Sequence, residues 1–428
     1  MYPQPRKIKL LAKKNRILNE VFRNGGCSRF DLARQLNINA AMVGTYMAEF
    51  LDSGMLVEGE TSPTGRGRTP VPLQLNPKYG CFLGLDFEAL RARAVLCDFA
   101  GNTLHEKETP FRSRITRKEV LQKIVHLARQ LADRADRPLL SVGVAAPGQV
   151  DCNAGRILHY GLLPDFDEVP LLERFQQAFE VPVFVEDNIR AVAYGELLRG
   201  AGRGHQNFLC LAVRSGVGLG IIIDGKIYGG AGAFAGEVGY TVFPTGDGPQ
   251  VMTDLISAKG FVQEILRLLR SRQGTPTRQN LLDKANDLSL NDIVAAAQEG
   301  DELLRDRLEM LGIHLGVLTA NLANLFSPEV IILAGEVPRC CDLVWCAMER
   351  TFRKFTLPQI LKITSLDNSS LGKFAGALGT AYLGFARRYP EEELHRGAKS
   401  CVSSGTRKIN RNCSCDLLMK GRDHAKPG

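Results

Sequence analysis

The sequence lacks the features that mark several special classes of protein. No stretch approaches the roughly 18 consecutive apolar residues that a membrane-spanning helix needs. The first residues, Met1–Lys7, contain no apolar core of a secretory signal. The 11 cysteines are odd in number and scattered, which argues against a disulfide framework. With 7% aromatic residues and a mean hydropathy of −0.08, the chain is not collagen-like, fibrous or wholly disordered. We expect a globular protein of the cytoplasm that contacts no membrane.

Acidic residues are scarce at the N-terminal end of the chain. The net charge is +8 over 428 residues, but residues 1–78 hold 12 Lys and Arg against 6 Asp and Glu. Residues 79–389 have almost no net charge, and residues 390–428 are again basic. A basic head on a neutral body suggests an anionic partner such as nucleic acid, although a solvated basic surface would give the same count.

Residues 13–52 have the pattern of three short helices. The first carries apolar residues at helical spacing and ends at Gly25-Gly26. A capping box from Ser28 to Asp31 begins the second helix. Asn39 is suited to cap the third helix, which we predict over residues 40–51.

Two short apolar segments follow, residues 55–58 and 71–75, with a turn-rich stretch between them. Short helices followed by a hairpin are typical of a winged helix-turn-helix, which lays its second motif helix in the major groove of DNA. A protein-binding module of three helices is the alternative. The residues that we expect near the DNA are Ser28, Arg29, Asn39, Thr45, Tyr46, Arg66 and Arg68.

The predicted recognition helix contains no Arg or Lys, so it offers little bidentate reading of guanine. The glycine-flanked Arg66 and Arg68, followed by Pro70, can instead follow a minor groove. A plain interdomain linker is the other interpretation of this segment. We therefore expect salt-sensitive DNA binding with modest base specificity.

From Tyr79 onward, apolar strands and glycine turns alternate with helices. A strand over residues 81–86 pairs with one over residues 92–97, and the Gly101-Asn102 turn belongs to this pair. Later strands are predicted over residues 140–145, 181–185, 207–213, 219–223 and 330–333. This pattern of strand hairpins with crossover helices occurs twice along the chain. It predicts an α/β domain, residues 79–389, with two similar lobes around a cleft.

Three segments of this domain resemble signature segments of the ROK family of repressors, open reading frames and kinases. They are Val142–Asp151, Glu186–Glu196 and Gly236–Gly239. The head with its Gly65–Pro70 linker is similar to the DNA-binding domain of the ROK repressors for xylose and N-acetylglucosamine. The resemblance implies an actin-like, hexokinase-type (ribonuclease H-like) fold with a sugar in the cleft between the lobes.

The residues that the resemblance assigns to kinase chemistry are missing. Asp86-Phe87-Glu88 stands where ROK kinases have a glycine-rich phosphate turn, and we expect Phe87 to fill the space of a phosphate. Asn188 aligns with the catalytic Asp, and an amide cannot act as a general base. A shift of the alignment by one residue would let Asp187 serve instead. We expect no catalytic residue, no enzyme activity and no cofactor.

The structural zinc site of the family also lacks its ligands. Tyr240 replaces the histidine of the motif, and residues 241–253 contain no cysteine. Zinc requires a set of thiolate and imidazole ligands, so we expect no metal.

The sugar-binding residues of the family are partly retained. The resemblance assigns contacts with a sugar to Gly148, Asp187, Asn188, Glu237, Tyr240 and Asp254. A vestigial structural role is the alternative for each. Arg190 replaces a neutral residue of the kinase motif, and as a possible anion contact it would suggest an acidic or phosphorylated sugar.

The sequence thus predicts a transcriptional regulator, most simply a repressor, that binds a double-stranded DNA operator. Its effector would be a sugar or sugar phosphate, and it would act as a homodimer or a higher even oligomer. Residues 390–428 have few large apolar residues and are predicted to be a disordered basic tail. The alternatives are a ROK sugar kinase with a fused DNA-binding head and an architectural DNA-binding protein with an inert body.

Overall fold

The structure is a computed structural model, and it describes residues 5–59, 71–112, 115–246, 248–271 and 275–391. These residues belong to one compact unit that ends at Glu391. Arg66 and Arg68, with the rest of their linker, and residues 392–428 of the predicted tail lie outside the described residues.

The head has the order of elements that the sequence predicts. Its elements are α1 (Pro5–Asn24), α2 (Arg29–Leu36), α3 (Ala40–Asp52), β1 (Leu56–Glu58) and β2 (Leu73–Leu75). Gly25 ends α1 with a φ of +73°, a conformation that favours glycine. The Ser28 hydroxyl accepts a hydrogen bond from the Asp31 N–H (3.1 Å) at the start of α2. β1 and β2 pair antiparallel, as the wing of a winged helix-turn-helix does.

The first lobe is a five-stranded sheet in the order β10-β6-β3-β4-β5, with a small three-stranded sheet, β7-β8-β9, beside it. β3 pairs antiparallel with β4 and parallel with β6. The elements are β3 (Cys81–Phe87), β4 (Arg91–Asp98), β5 (Thr103–Pro110), α4 (Arg117–Ala132), β6 (Leu139–Ala146), β7 (Gln149–Asp151), β8 (Arg156–His159), β9 (Asp167–Val169), α5 (Leu171–Gln176) and β10 (Val183–Asp187).

The second lobe repeats this arrangement with the sheet order β13-β12-β11-β16-β17. β11 pairs antiparallel with β12 and parallel with β16, which matches the pattern of the first lobe. Its strands are β11 (Phe208–Val213), β12 (Val217–Ile223), β13 (Lys226–Ile227), β14 (Val242–Thr245), β15 (Gly248–Val251), β16 (Val330–Ala334) and β17 (Ser365–Asn368). Its helices are α7 (Met252–Ile256), α8 (Ala258–Arg270), α9 (Pro276–Asp283), α10 (Leu290–Gln298), α11 (Glu302–Phe326), α12 (Asp342–Phe355) and α13 (Pro358–Leu361). The prediction of two similar α/β lobes is confirmed.

Two helices lie between the lobes, α6 (Asn188–Arg199) and α14 (Ala375–Arg388). α6 packs on the second sheet through Val192 and Ala193, and α14 packs on β3 of the first. The two helices touch at Gly379, where a Cβ atom would lie 1.7 Å from the Ala191 carbonyl oxygen. A side chain at this glycine would force the helices apart.

The head packs directly on the first lobe. The Phe22 ring of α1 stacks on Phe385 of α14, with 4.2 Å between the ring centroids. The Asn19 amide donates to the Tyr389 carbonyl oxygen (2.7 Å), and Arg23 pairs with Glu391. Buried residues of the head and of the first lobe form one continuous hydrophobic core. Pro390 and Glu391, which the sequence assigns to the tail, therefore contact α1.

Two elements differ from the sequence-based expectations. The turn at Gly101-Asn102 connects β4 with β5, an edge strand that the sequence did not reveal because its polar residues do not alternate with apolar ones. Among the described residues, α11 is long and apolar enough to cross a membrane by length and composition, but 56% of its most apolar window is buried. That burial is expected of a helix in a protein core.

Candidate ligand cavity and DNA-facing surface

All six residues predicted to contact a sugar line one cavity of about 350 Å³, which we call the inner cavity. They come from four segments that are far apart in the sequence. These residues are Gly148, Asp187, Asn188, Glu237, Tyr240 and Asp254. The volume lies at the small end of the range typical of ligand sites in proteins.

Gly148 forms part of the wall of this cavity with its backbone. Its φ is +82°, and a Cβ atom there would lie 2.4 Å from the His159 carbonyl oxygen. Both the backbone conformation and the space therefore require glycine at this position.

Asp187 and Asn188 stand where β10 passes into α6. One Asp187 oxygen accepts hydrogen bonds from the N–H groups of Ile189 (3.0 Å) and Arg190 (2.9 Å), so Asp187 is the N-cap of α6. Burial raises the pKa of Asp187, and the charge of Arg190 opposes that shift. Asn188 is buried, and its amide has no hydrogen-bond partner among the described residues, which leaves it available to a ligand.

Glu237 follows a sharp turn at Gly236, where a Cβ atom would lie 1.9 Å from the Leu219 carbonyl oxygen. Its carboxylate makes no hydrogen bond or ion pair with the described residues. Burial and, next, the charge of Asp187 raise the pKa of Glu237 to about 7, against the effect of Arg190. Near neutral pH this carboxyl group can therefore accept or donate a hydrogen bond.

Tyr240 and Asp254 form the rim of the inner cavity. The Tyr240 side chain is 60% exposed, and Asp254 is exposed in the first turn of α7. The hydroxyl of the neighbouring Thr253 donates to the Gly239 carbonyl oxygen (3.0 Å), which joins the two rim segments.

Arg190 lines the inner cavity, but its guanidinium is already bound by the protein. Its Nε donates to a Glu186 oxygen (2.9 Å), its Nη1 to the Ala233 carbonyl oxygen (2.6 Å) and its Nη2 to the Cys152 sulfur (3.0 Å). The residue is 5% exposed. Its visible role is to fix the loop before Glu237, which differs from the anion contact suggested by the sequence. The sequence did not reveal Cys152 or Ala233 as partners.

Sequence models of two known protein families match this chain. The sequence model of the ROK family matches residues 82–386, and that of winged helix-turn-helix DNA-binding domains matches residues 10–57. The first match covers well over half of the chain. The chain belongs to the ROK family.

Similar ROK proteins include regulators. The chain is 27% identical to the xylose repressor of Bacillus spizizenii over 366 residues, which cover 85% of this chain and 92% of the relative. It is 28% identical to the DNA-binding transcriptional dual regulator NagC of Escherichia coli, over 82% of this chain and 88% of the relative. The crystal structure of a ROK family transcriptional regulator, a homolog of E. coli MLC protein, matches with a TM-score of 0.73 at 24% identity, over 90% of this chain and 98% of that one. The expected actin-like, hexokinase-type fold with a winged helix-turn-helix is confirmed.

A second, wider cleft of about 1340 Å³ adjoins the inner cavity of this ROK protein, and Glu88 and Arg214 line both. Arg214 belongs to the second lobe, and its Nη1 lies 3.7 Å from an oxygen of Asp86 and 4.0 Å from an oxygen of Glu88 in the first lobe. Asp86 is 1% exposed, and its burial raises its pKa to about 6 although Arg214 opposes the shift. The Ala89 N–H donates to the Tyr160 hydroxyl (3.1 Å).

The expectation that Phe87 fills the space of a phosphate is wrong. Phe87 is buried in the core of the first lobe, 6.3 Å from Phe166 between ring centroids. Side chains alternate along a strand, so Phe87 shares its face with Leu83 and Leu85, while Asp86 lies on the other face. The side chains of this turn that line the wide cleft begin with Glu88.

The residues predicted to face DNA fall into two groups, those that are exposed and those that are not. Arg29 and Thr45 are exposed, and Asn39 is exposed at the N-cap of α3, where its side chain accepts from the Ala41 N–H (2.8 Å). Ser28 is occupied as the N-cap of α2. Phe30, which the sequence did not single out, is 72% exposed beside Arg29.

Tyr46 does not face outward, which corrects its assignment to the DNA surface. It is 4% exposed, and Lys14 lies over its ring at 5.2 Å from the centroid. Tyr46 follows Val43 by three residues and precedes Phe50 by four, so it belongs to the buried face of α3.

Among the residues that the structure describes, no group of three or more His, Cys, Asp or Glu side chains is placed to hold a metal ion. At the position where the family motif has a histidine, Tyr240 lies at the cavity rim instead.

Proposed function

We propose that this ROK protein is a sugar-responsive, DNA-binding transcriptional repressor whose ROK domain has lost kinase catalysis. One observation carries the proposal: α6 begins at the inner cavity and ends against the head. Asp187 caps its first turn, and Arg199 at its last turn donates to the carbonyl oxygens of Phe22 (2.5 Å) and Arg23 (3.1 Å) in α1. The Arg199 guanidinium also lies 5.1 Å from the Phe22 ring centroid. A ligand bound at the first turn of α6 can thus change the contacts that the last turn of α6 makes with the head.

The relatives support the same assignment. The alignments with the xylose repressor and NagC cover 85% and 82% of this chain. By analogy, the partners are a double-stranded DNA operator and a sugar effector, and the protein acts in the cytoplasm. Two heads must meet two half-sites about one helical turn apart, so the active species is a homodimer or a higher even oligomer.

The site does not favour the kinase alternative. Asn188 has no carboxylate to deprotonate a sugar hydroxyl. The Ala89 N–H, in the turn where kinases hold phosphate, already donates to Tyr160. Two carboxylates, those of Asp86 and Glu88, lie 3.7 and 4.0 Å from Arg214 and would repel a phosphate placed beside it. These features support a regulator that binds sugar without transferring phosphate.

The test is a binding experiment on the full chain. Duplexes selected from a random pool provide an operator, and fluorescence anisotropy then measures its Kd with and without each member of a sugar panel. One specific sugar is expected to weaken operator binding by about tenfold, the usual size of allosteric coupling. If no sugar alters the operator Kd, the proposal fails. Sugar-dependent consumption of ATP would support the kinase instead.

A further inference from the structure

A third cavity, of about 320 Å³, lies where the head meets the first lobe and the end of α6, and we call it the junction cavity. The end of α1 and strand β2 form its wall on the side of the head. The turn between β4 and β5 and the residues at the end of α6 form the opposite wall. Its polar side chains are those of Arg23, Asn24, Gln74, Asn102, Arg199 and Arg203. The volume suits a small ligand.

The junction cavity has an excess of positive charge. Among the described residues that line it there are three guanidiniums and no carboxylate. Arg23 has anionic partners behind the wall, since it pairs with Glu391 and lies 3.6 Å from a Glu20 oxygen. Arg199 and Arg203 form no ion pair with a described residue. The protein therefore does not balance the charge of these two side chains.

Among the described residues, Arg199 donates hydrogen bonds only to neutral groups. Its Nη2 donates to the Phe22 carbonyl oxygen (2.5 Å) and its Nη1 to that of Arg23 (3.1 Å). These carbonyls carry the partial negative charge of a helix C-terminus, which offsets about half of one positive charge. Burial lowers the pKa of Arg199, Tyr382 opposes that shift, and the like charge of Arg203 adds to it. Arg199 is thus held in place while much of its charge remains uncompensated.

Arg203 lies near Arg199, and its guanidinium has no protein partner. Its backbone N–H donates to the Gly200 carbonyl oxygen (3.1 Å), which places the residue in the turn that follows α6. The side chain is exposed and makes no hydrogen bond or ion pair with a described residue. Two neighbouring guanidiniums repel each other, and an anion placed between them offsets that repulsion.

Gln74 adds a hydrogen-bond donor from the head. It lies in the middle of β2, it is exposed, and its amide has no hydrogen-bond partner among the described residues. The amides of Asn24 and Asn102 are already occupied, because they donate to Glu20 (2.9 Å) and Asp98 (3.0 Å). The donors that remain for a ligand therefore come from two side chains of the body and one of the head.

These donors match a phosphate group better than a carboxylate. A carboxylate carries one negative charge, and a single guanidinium satisfies its two oxygens. A phosphate group with one ester bond or none carries up to two negative charges, and it has at least three acceptor oxygens. It can therefore meet both guanidiniums and the Gln74 amide at once.

We propose that the junction cavity binds a small phosphate dianion, inorganic phosphate or a phosphate monoester, through Arg199, Arg203 and Gln74. The bound phosphate joins the body to the head. The site lies at the opposite end of α6 from the inner cavity, so it is a second ligand site that needs neither sugar nor operator.

Isothermal titration calorimetry of the full chain tests the site at pH 8 and constant ionic strength, without sugar or DNA. The probes are inorganic phosphate, methyl phosphate, dimethyl phosphate and acetate. The first two are expected to bind at least about tenfold more tightly than the last two, which carry a single charge. Absence of phosphate binding overturns the inference and leaves the proposed function intact. Equally tight binding of dimethyl phosphate also contradicts it, because the cavity would then not recognise a dianion.

Arg203→Ala tests whether the junction cavity holds the phosphate. Because the guanidinium contacts no described partner, the variant is expected to fold and to bind phosphate about tenfold more weakly. Arg134→Ala is the matched control, since Arg134 is an exposed, unpaired residue outside the cavity among the described residues. It should keep the original phosphate Kd. If the two variants bind phosphate equally well, the anion lies elsewhere and the inference is wrong.

Gln74→Glu tests the contribution of the head. The substitution keeps the length of the side chain, but it replaces an amide donor with a carboxylate in the same cavity as the two guanidiniums. Phosphate binding is expected to weaken at least about tenfold. An unchanged phosphate Kd would mean that the anion contacts the body alone, which contradicts the proposed link between body and head.

A titration of operator binding with NaCl separates a small phosphate from a phosphate of the DNA backbone. In buffer without phosphate, Arg203→Ala is expected to keep the operator Kd and its dependence on NaCl. A slope of log Kd against log [NaCl] that falls by about 1 in this variant would show that Arg203 contacts DNA, and it would overturn the assignment to a small anion.

Discussion

The inner cavity and the wide cleft are neighbours that share Glu88 and Arg214, but their polar side chains are paired differently. In the wide cleft, Arg93 binds Glu88 (3.2 Å) and Glu108 (2.7 Å), so much of the charge is neutralised within the protein. In the inner cavity, Glu237 has no protein partner among the described residues. The number of charged residues therefore says little about what a cavity binds, and their pairing says more.

The sharpest test of this comparison removes one carboxylate from each cavity. Glu237→Ala is expected to weaken sugar binding by about 30- to 100-fold, or about 2–3 kcal/mol, because it removes a charged hydrogen-bond acceptor from the ligand. The matched variant Glu336→Ala, in the wide cleft, is expected to leave the sugar Kd unchanged. Calorimetry with the sugar identified by the panel measures both, and equal losses would contradict the comparison.

The two cavities also differ in the part of the molecule to which the helix beginning at each of them leads. α6 leads from the inner cavity to the head, whereas α8 leads from the wide cleft into the second lobe. Arg199→Ala removes the hydrogen bonds from α6 to α1. We expect it to reduce the effect of sugar on the operator Kd from about tenfold to about twofold while the sugar Kd changes little.

Arg203→Ala is the control for that variant, because it removes an exposed Arg four residues further along. It is expected to keep the full response in the anisotropy assay. If Arg199→Ala responds to sugar as the unaltered protein does, α6 does not carry the signal to the head.

A smaller effect should appear in the pH dependence of stability. The pKa of Glu237 is about 7 in the folded protein, above its ordinary value of 4.5, because burial and Asp187 disfavour the charged form. Between these two pKa values the folded state binds more protons than the unfolded state, so stability falls as pH rises. Without ligand, the protein should lose about 1 kcal/mol relative to Glu237→Gln between pH 5 and pH 8, since the side chain is only partly buried.

Thermal or urea denaturation of the two proteins at each pH measures this difference. Asp86 also has a raised pKa, of about 6, but it is present in both proteins and its contribution cancels. A stability difference that does not vary with pH would show that Glu237 has an ordinary pKa.

The last prediction is that a substitution in the inner cavity produces no kinase activity. Asn188→Asp introduces a carboxylate where the family resemblance assigns the kinase base, but the Ala89 N–H remains bound to Tyr160 and Arg214 remains opposite Asp86. We therefore expect no sugar-dependent ATP consumption in a coupled assay that uses an active ROK kinase as its positive control. Turnover by this variant would mean that only the base was lost and that the wide cleft still accepts a nucleotide.

The sequence predicted the parts of the molecule that depend on local rules. Gly25 ends α1, and Ser28 and Asn39 cap the next two helices, because backbone conformation and capping are encoded over a few residues. The six candidate sugar residues were found through the family motifs, although spacing alone does not show that residues 148 and 254 line one cavity.

The sequence-based errors have two physical origins. Tyr46 and Phe87 were misplaced although their spacing from buried neighbours already predicted inward-facing side chains. The contacts of Arg190 could not be predicted, because they depend on a loop of the second lobe that brings the Ala233 carbonyl to the guanidinium. Pairing across lobes is a property of the tertiary structure.

The length of α6 determines how far its last turn moves when the helix tilts about its end at the inner cavity. Twelve residues span about 18 Å, so a tilt of about 5° about the Asp187 end moves Arg199 by about 1.5 Å. A hydrogen bond between Arg199 and the Phe22 carbonyl oxygen does not survive a lengthening of that size. In the proposed regulator, a tilt of α6 of this size would therefore weaken its hydrogen bonds to the head without full closure of the lobes.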